Sequence, residues 1–162
     1  MGNTCLYGAT GGKLFAAGRA GERFAVRNSG AIAVVEGTGD NACEYMTGGI
    51  VAILGSTGVN FGAGMTGGFA YILDELNDLD NRVNKELVEI LDIGDKVILS
   101  EHLRGLINQH YELTGSEHAL NLLTHFAEEL PRFRLVKPKT SDVKNLLGHI
   151  SRSTAELRLQ AQ

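Results

Sequence analysis

The chain has 162 residues and a formal net charge of −4, and 43% of its residues are hydrophobic and 21% charged. These values are typical of a globular domain and exclude a disordered chain. No apolar run reaches the roughly 18 residues of a membrane span, and the first residues lack the basic and apolar regions of a signal peptide, so we expect a cytoplasmic protein without membrane contact.

Glycine and charge are distributed unevenly along the chain. Seventeen of the 21 glycines lie in residues 1–68. Residues 74–130 carry 13 acidic against four basic side chains, whereas residues 131–162 carry two acidic against seven basic ones. The bases of the last segment are dispersed, so no nucleic-acid partner is expected.

A repeat of about 19 residues occupies the glycine-rich part. Each copy starts at a glycine, has a hydroxyl residue eight positions later and a second glycine directly after it, and the first three copies have a third glycine 16 positions after the first. The starting glycines, at intervals of 19, 18 and 19 residues, are Gly2, Gly21, Gly39 and Gly58. The hydroxyl column is Thr10, Ser29, Thr47 and Thr66. The second and third glycine columns are Gly11, Gly30, Gly48 and Gly67, and then Gly18, Gly37 and Gly55.

This period predicts a mainly β fold, a single-stranded solenoid of the parallel β-helix type with coils of about 19 residues, because it is too short for repeats of paired helices. We expect two or three short strands in each coil, joined by glycine turns. Glycine is needed where φ is positive, which we expect at Gly48 and Gly67, or where another backbone approaches closely. Equivalent side chains should stack in ladders between coils, hydroxyl on hydroxyl and aliphatic on aliphatic.

One coil contains Gly62-x-Gly64-x-x-Gly67, which matches the fingerprint of dinucleotide-binding loops. In that fold the loop opens a helix, and an acidic residue follows about 20 residues later. Here a strand-like segment follows, and the corresponding position is Arg82. We therefore interpret these glycines as part of the repeat rather than as a nucleotide site.

The rest of the chain is predicted to consist of two parts, residues 77–138 and residues 139–162. Residues 77–138 should hold an acidic connection, a helical hairpin and a possible edge strand over 132–138, whose charged and apolar residues alternate. The segment 86–93 is ambiguous between strand and helix, and we favour a strand. Residues 139–162 should form a basic, polar tail or docking segment. Together with the coils of residues 1–76, these parts should make one structural domain.

Two helices are predicted between residues 100 and 131. Ser100 is the expected N-cap of the first, which Gly115 ends. Ser116 is the expected N-cap of the second, which Pro131 ends. The tight turn between them predicts an αα-hairpin that packs on the β-helix.

The histidines and cysteines are not spaced as metal ligands or as a disulfide framework. We expect both cysteines, Cys5 and Cys43, in the core. Four histidines fall in the helical segments, and we expect them at the surface rather than in a metal site: His102, His110, His118 and His125.

Two charged groups within the coils are weaker candidates for a site. Arg23 and Arg27 flank an apolar residue and could bind an anion, although a charge network with Glu22 and Glu36 on the coil surface is the simpler interpretation. Asp40 and Glu44 lie four residues apart, but no helix aligns them as a catalytic pair. No residue is therefore predicted to be catalytic, to bind a cofactor or to bind a metal.

Long segments of the chain resemble a known family. The segments "GATGGKLFAAGRAGERFAVRNSGA", "VVEGTGDNACEYMTGG" and "LGSTGVNFGAGMTGGFAYIL" closely resemble the C-terminal domain of bacterial glutamate synthase large subunits. The resemblance continues through "EHLRGLINQHYELTGSEHA" and "FRLVKPKTSDVKNLLGH" to the last residues. It implies a right-handed parallel β-helix, in agreement with the repeat.

The resemblance also implies a larger parent enzyme. Such an enzyme hydrolyses glutamine in an amidotransferase domain and passes the ammonia to an FMN domain, where 2-oxoglutarate becomes glutamate. A 3Fe–4S cluster carries electrons from a small NADPH-oxidising subunit. The family's catalytic, flavin-binding and cluster-binding residues match no position here, so the resemblance implies a non-catalytic scaffold that contacts other domains of the large subunit and possibly the small subunit.

Two further expectations concern the chain on its own. The alternative to a scaffold is a binding module with an anion or small-molecule site near Arg23 and Arg27. We also expect coils to precede Met1 in the parent enzyme, so that the isolated chain has an open edge of β-sheet. Such an edge pairs readily with another chain, and we predict that the fragment self-associates through its first coil.

Overall fold

The computed structural model describes the backbone of residues 1–160 and the side chains of residues 1–152. Each of the four coils contributes one strand, and these strands are parallel neighbours in one sheet. They are β1 (Lys13–Phe15), β2 (Ser29–Val35), β3 (Thr47–Ile53) and β4 (Gly67–Leu73). Helices follow the coils, so the predicted solenoid with helices after it is confirmed.

Two antiparallel strands complete the sheet. They are β5 (Val88–Asp92) and β6 (Phe133–Pro138), and the sheet order is β1-β2-β3-β4-β6-β5. The strand predicted near residue 90 is thus confirmed. The prediction of β6 as an edge strand is wrong, because β5 pairs with its far side and Glu89 on β5 neutralises Lys137, whose charge had suggested an edge.

The flank of each coil opposite the sheet is not a strand. Residues two, four and six positions after each starting glycine have φ between 54° and 71°, and the residues between them are not left-handed. These positions are Thr4, Leu6 and Gly8, then Arg23, Ala25 and Arg27, then Asn41, Cys43 and Tyr45, and finally Asn60, Gly62 and Gly64. We call this surface the left-handed flank. The expectation of two or three strands in each coil is therefore wrong, since each coil contains one.

Hydrogen bonds between coils hold the left-handed flank in place. The amides of Arg23 and Arg27 donate to carbonyls of the following coil, each at 2.9 Å, whereas the amide of Ala25 donates to the preceding coil at 2.9 Å. Alternation of left- and right-handed residues turns successive N–H groups to opposite sides. A left-handed residue with a Cβ costs about 1–2 kcal/mol, and this two-sided bonding offsets that cost.

The sheet is buried on both faces, which explains why its strands are almost continuously apolar. The inner face meets the left-handed flank in a core that includes Phe24, Met46 and Phe61. The outer face meets the helices in a second core that includes Phe69 and Leu103. Two cores separated by one sheet give the molecule three layers: flank, sheet and helices.

The helical layer contains four α-helices and a 3₁₀ turn in the described residues. The α-helices are α1 (Val97–Thr114), α2 (Glu117–Thr124), α3 (Phe126–Glu129) and α4 (Val143–Gln160), and the turn is Leu130–Arg132. A second 3₁₀ turn, Leu79–Asn81, lies between β4 and β5.

The helices α1 and α2 form the predicted hairpin. Gly115, with φ of 67°, ends α1, and the Ser116 hydroxyl caps α2 by accepting from the Ala119 amide at 3.1 Å. The prediction of Ser100 as N-cap is wrong, because α1 begins at Val97 and the Ser100 hydroxyl donates to carbonyls of the preceding turn.

The second predicted helix is also shorter than expected. A break at His125 separates α2 from α3, and Pro131 lies in the 3₁₀ turn that follows. The chain thus turns towards β6 in steps rather than at one proline.

The segment predicted as a polar tail contains α4. Leu146 and Ile150, four residues apart, are buried in the same core as the apolar face of α1. The turn before α4 is held by Lys137, whose buried ammonium donates to the Ser141 carbonyl at 2.6 Å. Leu147 packs against the same core. The sequence interpretation missed a signal for this packing, the apolar helical stripe formed by Val143, Leu146, Leu147 and Ile150.

Candidate functional site

The glycines of the nucleotide-like motif serve the coil. Gly62 and Gly64 lie on the left-handed flank with φ of 71° and 67°, and Gly67 begins β4, so a strand follows the motif where a nucleotide loop requires a helix. A Cβ on Gly64 would lie 2.5 Å from the ring of Tyr45. The motif is therefore explained by backbone handedness and close packing.

The second glycine column lies where each coil turns into its strand. A Cβ on Gly48 or Gly67 would lie 2.3 Å or 2.0 Å from a carbonyl oxygen of the preceding coil. Neither residue has positive φ. The positive φ occurs instead at the glycine that follows each of them, with values of 87° at Gly49 and 69° at Gly68. The expectation of positive φ at Gly48 and Gly67 is wrong, since close approach of the backbone is what requires glycine there.

The space around the other repeat glycines depends on the coil in which they lie. In the later coils an added Cβ would meet a neighbouring coil within 3.0 Å, whereas in the first coil it would meet nothing within 4 Å. The crowded positions are Gly21, Gly30, Gly37, Gly39, Gly55 and Gly58. The open positions are Gly2, Gly11 and Gly18. Only a preceding coil creates the crowding.

The hydroxyl column is exposed at the same corner. Its members are Thr10, Ser29, Thr47 and Thr66. The Ser29 hydroxyl donates to a carbonyl of the preceding coil at 3.3 Å. A buried hydroxyl pair that sequence reasoning missed joins two coils elsewhere, where Thr38 and Thr57 lie 2.8 Å apart. Their separation of 19 residues is the signal that could have revealed them.

A groove separates this corner from α4, and we call it the α4 groove. Its volume is about 700 Å³. The coils line one side with Ser29, Thr47 and Gly67, and α4 lines the other with Lys144, His149 and Arg152. No acidic side chain among the described residues lines the groove.

A polar cluster joins the solenoid to the hairpin. The Glu36 carboxylate, just after β2, accepts from the Ser116 hydroxyl and from Nε2 of His110, the latter at 3.3 Å. Nearby, Nε2 of His118 donates to the Leu54 carbonyl at 2.5 Å. The carboxylate rather than an imidazole contacts the hydroxyl, so the cluster lacks the order of a catalytic triad. Its geometry is that of a docking contact.

The prediction of surface histidines fails for His110. It is fully buried, and burial lowers its pKa, although the Glu36 carboxylate acts in the opposite direction. His110 lies three and four residues after Ile107 and Leu106 on the apolar stripe of α1, and this spacing could have revealed it.

His102 is also largely enclosed. Its Nδ1 lies 2.8 Å from the hydroxyl of Tyr71 on β4, and burial lowers its pKa to about 4. His125, in contrast, is exposed at the break between α2 and α3. Both histidines of α1 therefore contribute to the contact with the sheet.

The two predicted charge groups lie on the left-handed flank. The guanidinium of Arg27 sits 6.0 Å from the centroid of the Tyr7 ring, and both Arg23 and Arg27 are exposed. Glu36, expected beside them, lies instead at the hairpin. Arg23 and Arg27 therefore remain a surface pair, and they line neither the α4 groove nor the small cavity at Asp74 and Arg132.

The carboxylates of Asp40 and Glu44 bind the next coil rather than each other. Asp40 accepts from the Val59 amide at 2.8 Å, and Glu44 accepts from the Asn60 side chain at 2.9 Å. Such bonds stabilise the coil stack.

The two cysteines are free thiols that differ in their burial. Cys43 is fully buried, and burial raises the pKa of its thiol, whereas Cys5 is half-buried. Among the described residues, no group of three or more His, Cys, Asp or Glu side chains could hold a metal ion. In the same part of the chain, no helix is long and apolar enough to cross a membrane.

Residues 1–139 match the model of the GXGXG motif family. The chain belongs to this family. The chain is 53% identical over 157 residues to a chloroplastic ferredoxin-dependent glutamate synthase of Spinacia oleracea. The aligned residues make up 96% of the chain and 10% of that protein. The chain is 49% identical over 155 residues to ferredoxin-dependent glutamate synthase 2 of Synechocystis, covering 93% of the chain and 10% of that protein.

The name of a third relative specifies NADH instead of ferredoxin. Glutamate synthase [NADH] of Schizosaccharomyces pombe is 55% identical over 139 residues, which cover 86% of the chain and 6% of that protein. The resemblance to glutamate synthase is confirmed by these matches. The GXGXG chain spans about a tenth of the length of the curated relatives that head the comparison.

Proposed function

We propose that this chain is a non-catalytic scaffold domain of a glutamate synthase. It braces the amidotransferase and FMN-binding domains of the same subunit at a fixed separation. The parent reaction would convert glutamine, 2-oxoglutarate and a reduced donor into two molecules of glutamate. The matches to glutamate synthases over most of the chain support this assignment.

The observation that carries the scaffold role is the bonding between coils. Backbone hydrogen bonds join neighbouring coils on both the sheet and the left-handed flank, and glycines keep the backbones in contact. A stack bonded on two sides resists bending, and transfer of ammonia between two active centres requires their distance to stay constant. The rigidity of the solenoid matches that requirement.

The parent's cofactors would be held outside this chain. Iron–sulfur clusters are bound by cysteine thiolates, and the chain has two cysteines, one of which is enclosed in the core. FMN and the 3Fe–4S cluster therefore belong, in this proposal, to other domains. The partners are those domains and a small NADPH-oxidising subunit, in the cytoplasm, although the relatives' names specify ferredoxin or NADH.

A complementation assay tests the scaffold role. The segment is deleted from the parent subunit, the isolated chain is added back, and glutaminase activity and glutamine-dependent glutamate formation are followed separately with each electron donor. We expect deletion to leave glutaminase activity but to uncouple it from glutamate formation, and addition of the chain to restore coupling. If both activities survive deletion unchanged, the scaffold role is wrong.

The alternative function is a binding module with an anion site at Arg23 and Arg27. The observation in its favour is that both guanidinium groups are exposed and that none of the ion pairs among the described residues includes them. Titration of the chain with phosphate, compared with the Arg23→Ala and Arg27→Ala variants, tests it. Identical curves would eliminate this site.

A further inference from the structure

We propose that the α4 groove binds a small multivalent oxyanion. The ligand would lie between the exposed hydroxyls of Ser29 and Thr47 on one side and, on the other, the cationic side chains of Lys144 and Arg152 with the imidazole of His149. This site differs from the Arg23 and Arg27 pair, and it is independent of the scaffold role.

The groove has the dimensions of a ligand site. Small-molecule sites in proteins occupy about 300–1,000 Å³, and the α4 groove has a volume of about 700 Å³. Three successive coils line it, and strands in a sheet are spaced about 4.8 Å apart. The coil side is therefore roughly 10 Å long, which suits an elongated ligand with two or more acidic groups.

The charge of the groove is opposite to that of the whole molecule. The chain carries a net charge of −4, yet the side chains of residues 1–152 include no acid that lines the groove. In the part of the chain that the structure describes, none of the ion pairs includes Lys144 or Arg152. Unneutralised cations around a concave surface focus the field on an anion, and arginine adds bidentate bonding to its oxygens.

The coil side supplies hydrogen-bond donors close to the backbone. The Thr47 hydroxyl is exposed and forms no hydrogen bond within the described residues. Gly48 and Gly67 have no side chains that would cover the backbone, since a Cβ there would collide with the preceding coil. The amides of Gly48 and Gly67 already donate to carbonyls of the preceding coil, so the Thr47 hydroxyl is the donor that an anion can reach from this side.

The helix side is positioned by packing. Leu146 and Ile150 are buried against the hairpin core, and Lys137 holds the turn that precedes α4. These contacts fix the rotation of α4 about its own axis, and Leu146 also lines the groove. The cations are therefore held across the groove from the hydroxyls, and long flexible side chains allow them to close on ligands of different shape.

The ligand could be a diphosphate or a polycarboxylate, because both present several anionic oxygens. The 162-residue chain is titrated with inorganic pyrophosphate and, separately, with citrate, and binding is followed by amide NMR shifts and calorimetry. We expect saturable binding with shifts at Thr47, Gly48 and Gly67 and in α4. Response to one probe identifies phosphate or carboxylate chemistry, and response to both shows that charge is recognised.

Charge reversal locates the site. The double variant K144E/R152E should raise the dissociation constant at least about tenfold, or about 1.4 kcal/mol, without a change in melting temperature, because both side chains are exposed. The matched control K85E/R104E makes the same change in net charge at two exposed residues that do not line the groove, and it should bind like the unmodified chain. The absence of saturable binding to either probe, or equal weakening in both double variants, would overturn the proposal.

Discussion

Glycine meets two different physical requirements at one corner of each coil. Gly67 is needed because the carbonyl of the preceding coil leaves no space for a Cβ, whereas Gly68 meets the same crowding and in addition has a φ of 69°. The first requirement arises from stacking and the second from the turn itself. Adjacent positions in one sequence column can therefore respond differently to substitution.

Replacement of Gly67 by alanine should strongly destabilise the chain. The new Cβ would lie 2.0 Å from a backbone oxygen that cannot move without displacing β3, and we expect a loss of about 2–3 kcal/mol in the free energy of unfolding. Urea unfolding measures this. The control is Gly11→Ala, the same column in the first coil, where a Cβ meets nothing within 4 Å. Equal effects of the two substitutions would contradict the stacking explanation.

The enclosed position of His102 should make stability depend on pH. Its pKa is about 4 in the folded chain and 6.5 when exposed, so the unfolded state binds more protons between these values. The contribution is fully present above pH 6.5 and is lost as the pH falls towards 4, on the order of 3 kcal/mol in total. NMR titration of the His102 ring tests this directly. A midpoint near 6.5 would show that the ring is solvated.

At the scale of elements, the hairpin packs on the solenoid through an apolar core, and a cluster of polar side chains at its edge adds hydrogen bonds between the two. Glu36 accepts from Ser116, and Ser116 also caps α2, so one hydroxyl links the start of the helix to the end of β2. His110 approaches the same carboxylate from α1. The orientation of both helices on the sheet thus depends on one acidic residue of the second coil.

Replacement of Glu36 by alanine should loosen the hairpin more than the coils. His110 and Ser116 would each lose an acceptor in a poorly hydrated position, which costs about 1–3 kcal/mol. Hydrogen exchange should show faster exchange in α1 and α2, with little change in β3 and β4. Glu22→Ala, which removes an exposed acid from the same coil, is the control. Uniform acceleration across the sheet would indicate global destabilisation instead.

At the scale of the whole molecule, the two ends of the coil stack differ. The end at β4 is covered, because β6 pairs with β4 and Phe61 forms a parallel bridge with Val83. The end at β1 is an edge of the sheet, and half-buried apolar side chains such as Leu6 and Leu14 lie next to it. Unpaired edges of this kind favour association.

We therefore keep the prediction that the isolated chain self-associates through its first coil. Light scattering over a range of concentrations should show a dimer or larger species. Hydrogen exchange should then become slower in β1 as the concentration rises. A monomer at the highest concentration reached would contradict the prediction.

Much of the coil architecture was predictable because the repeat is a local pattern. The columns of Gly48 and Gly67 and the two helices that meet at Gly115 followed from spacing and capping rules. The left-handed flank did not follow from them, since residues such as Arg23 and Tyr45 disfavour positive φ and adopt it only where neighbouring coils bond to them. The contact of His110 with Glu36 and the packing of α4 on α1 likewise depend on surfaces that are distant in sequence.

The sequence by itself determined the period, the position of the glycines, the family and the order of strands and helices, because each depends on residues within about one coil or one helical turn of each other. Only the tertiary structure decided which requirement each glycine meets, how Glu36 joins the layers and where the α4 groove opens. These features arise where segments separated by tens of residues meet, and there the energy of packing and hydrogen bonding between layers outweighs local preference.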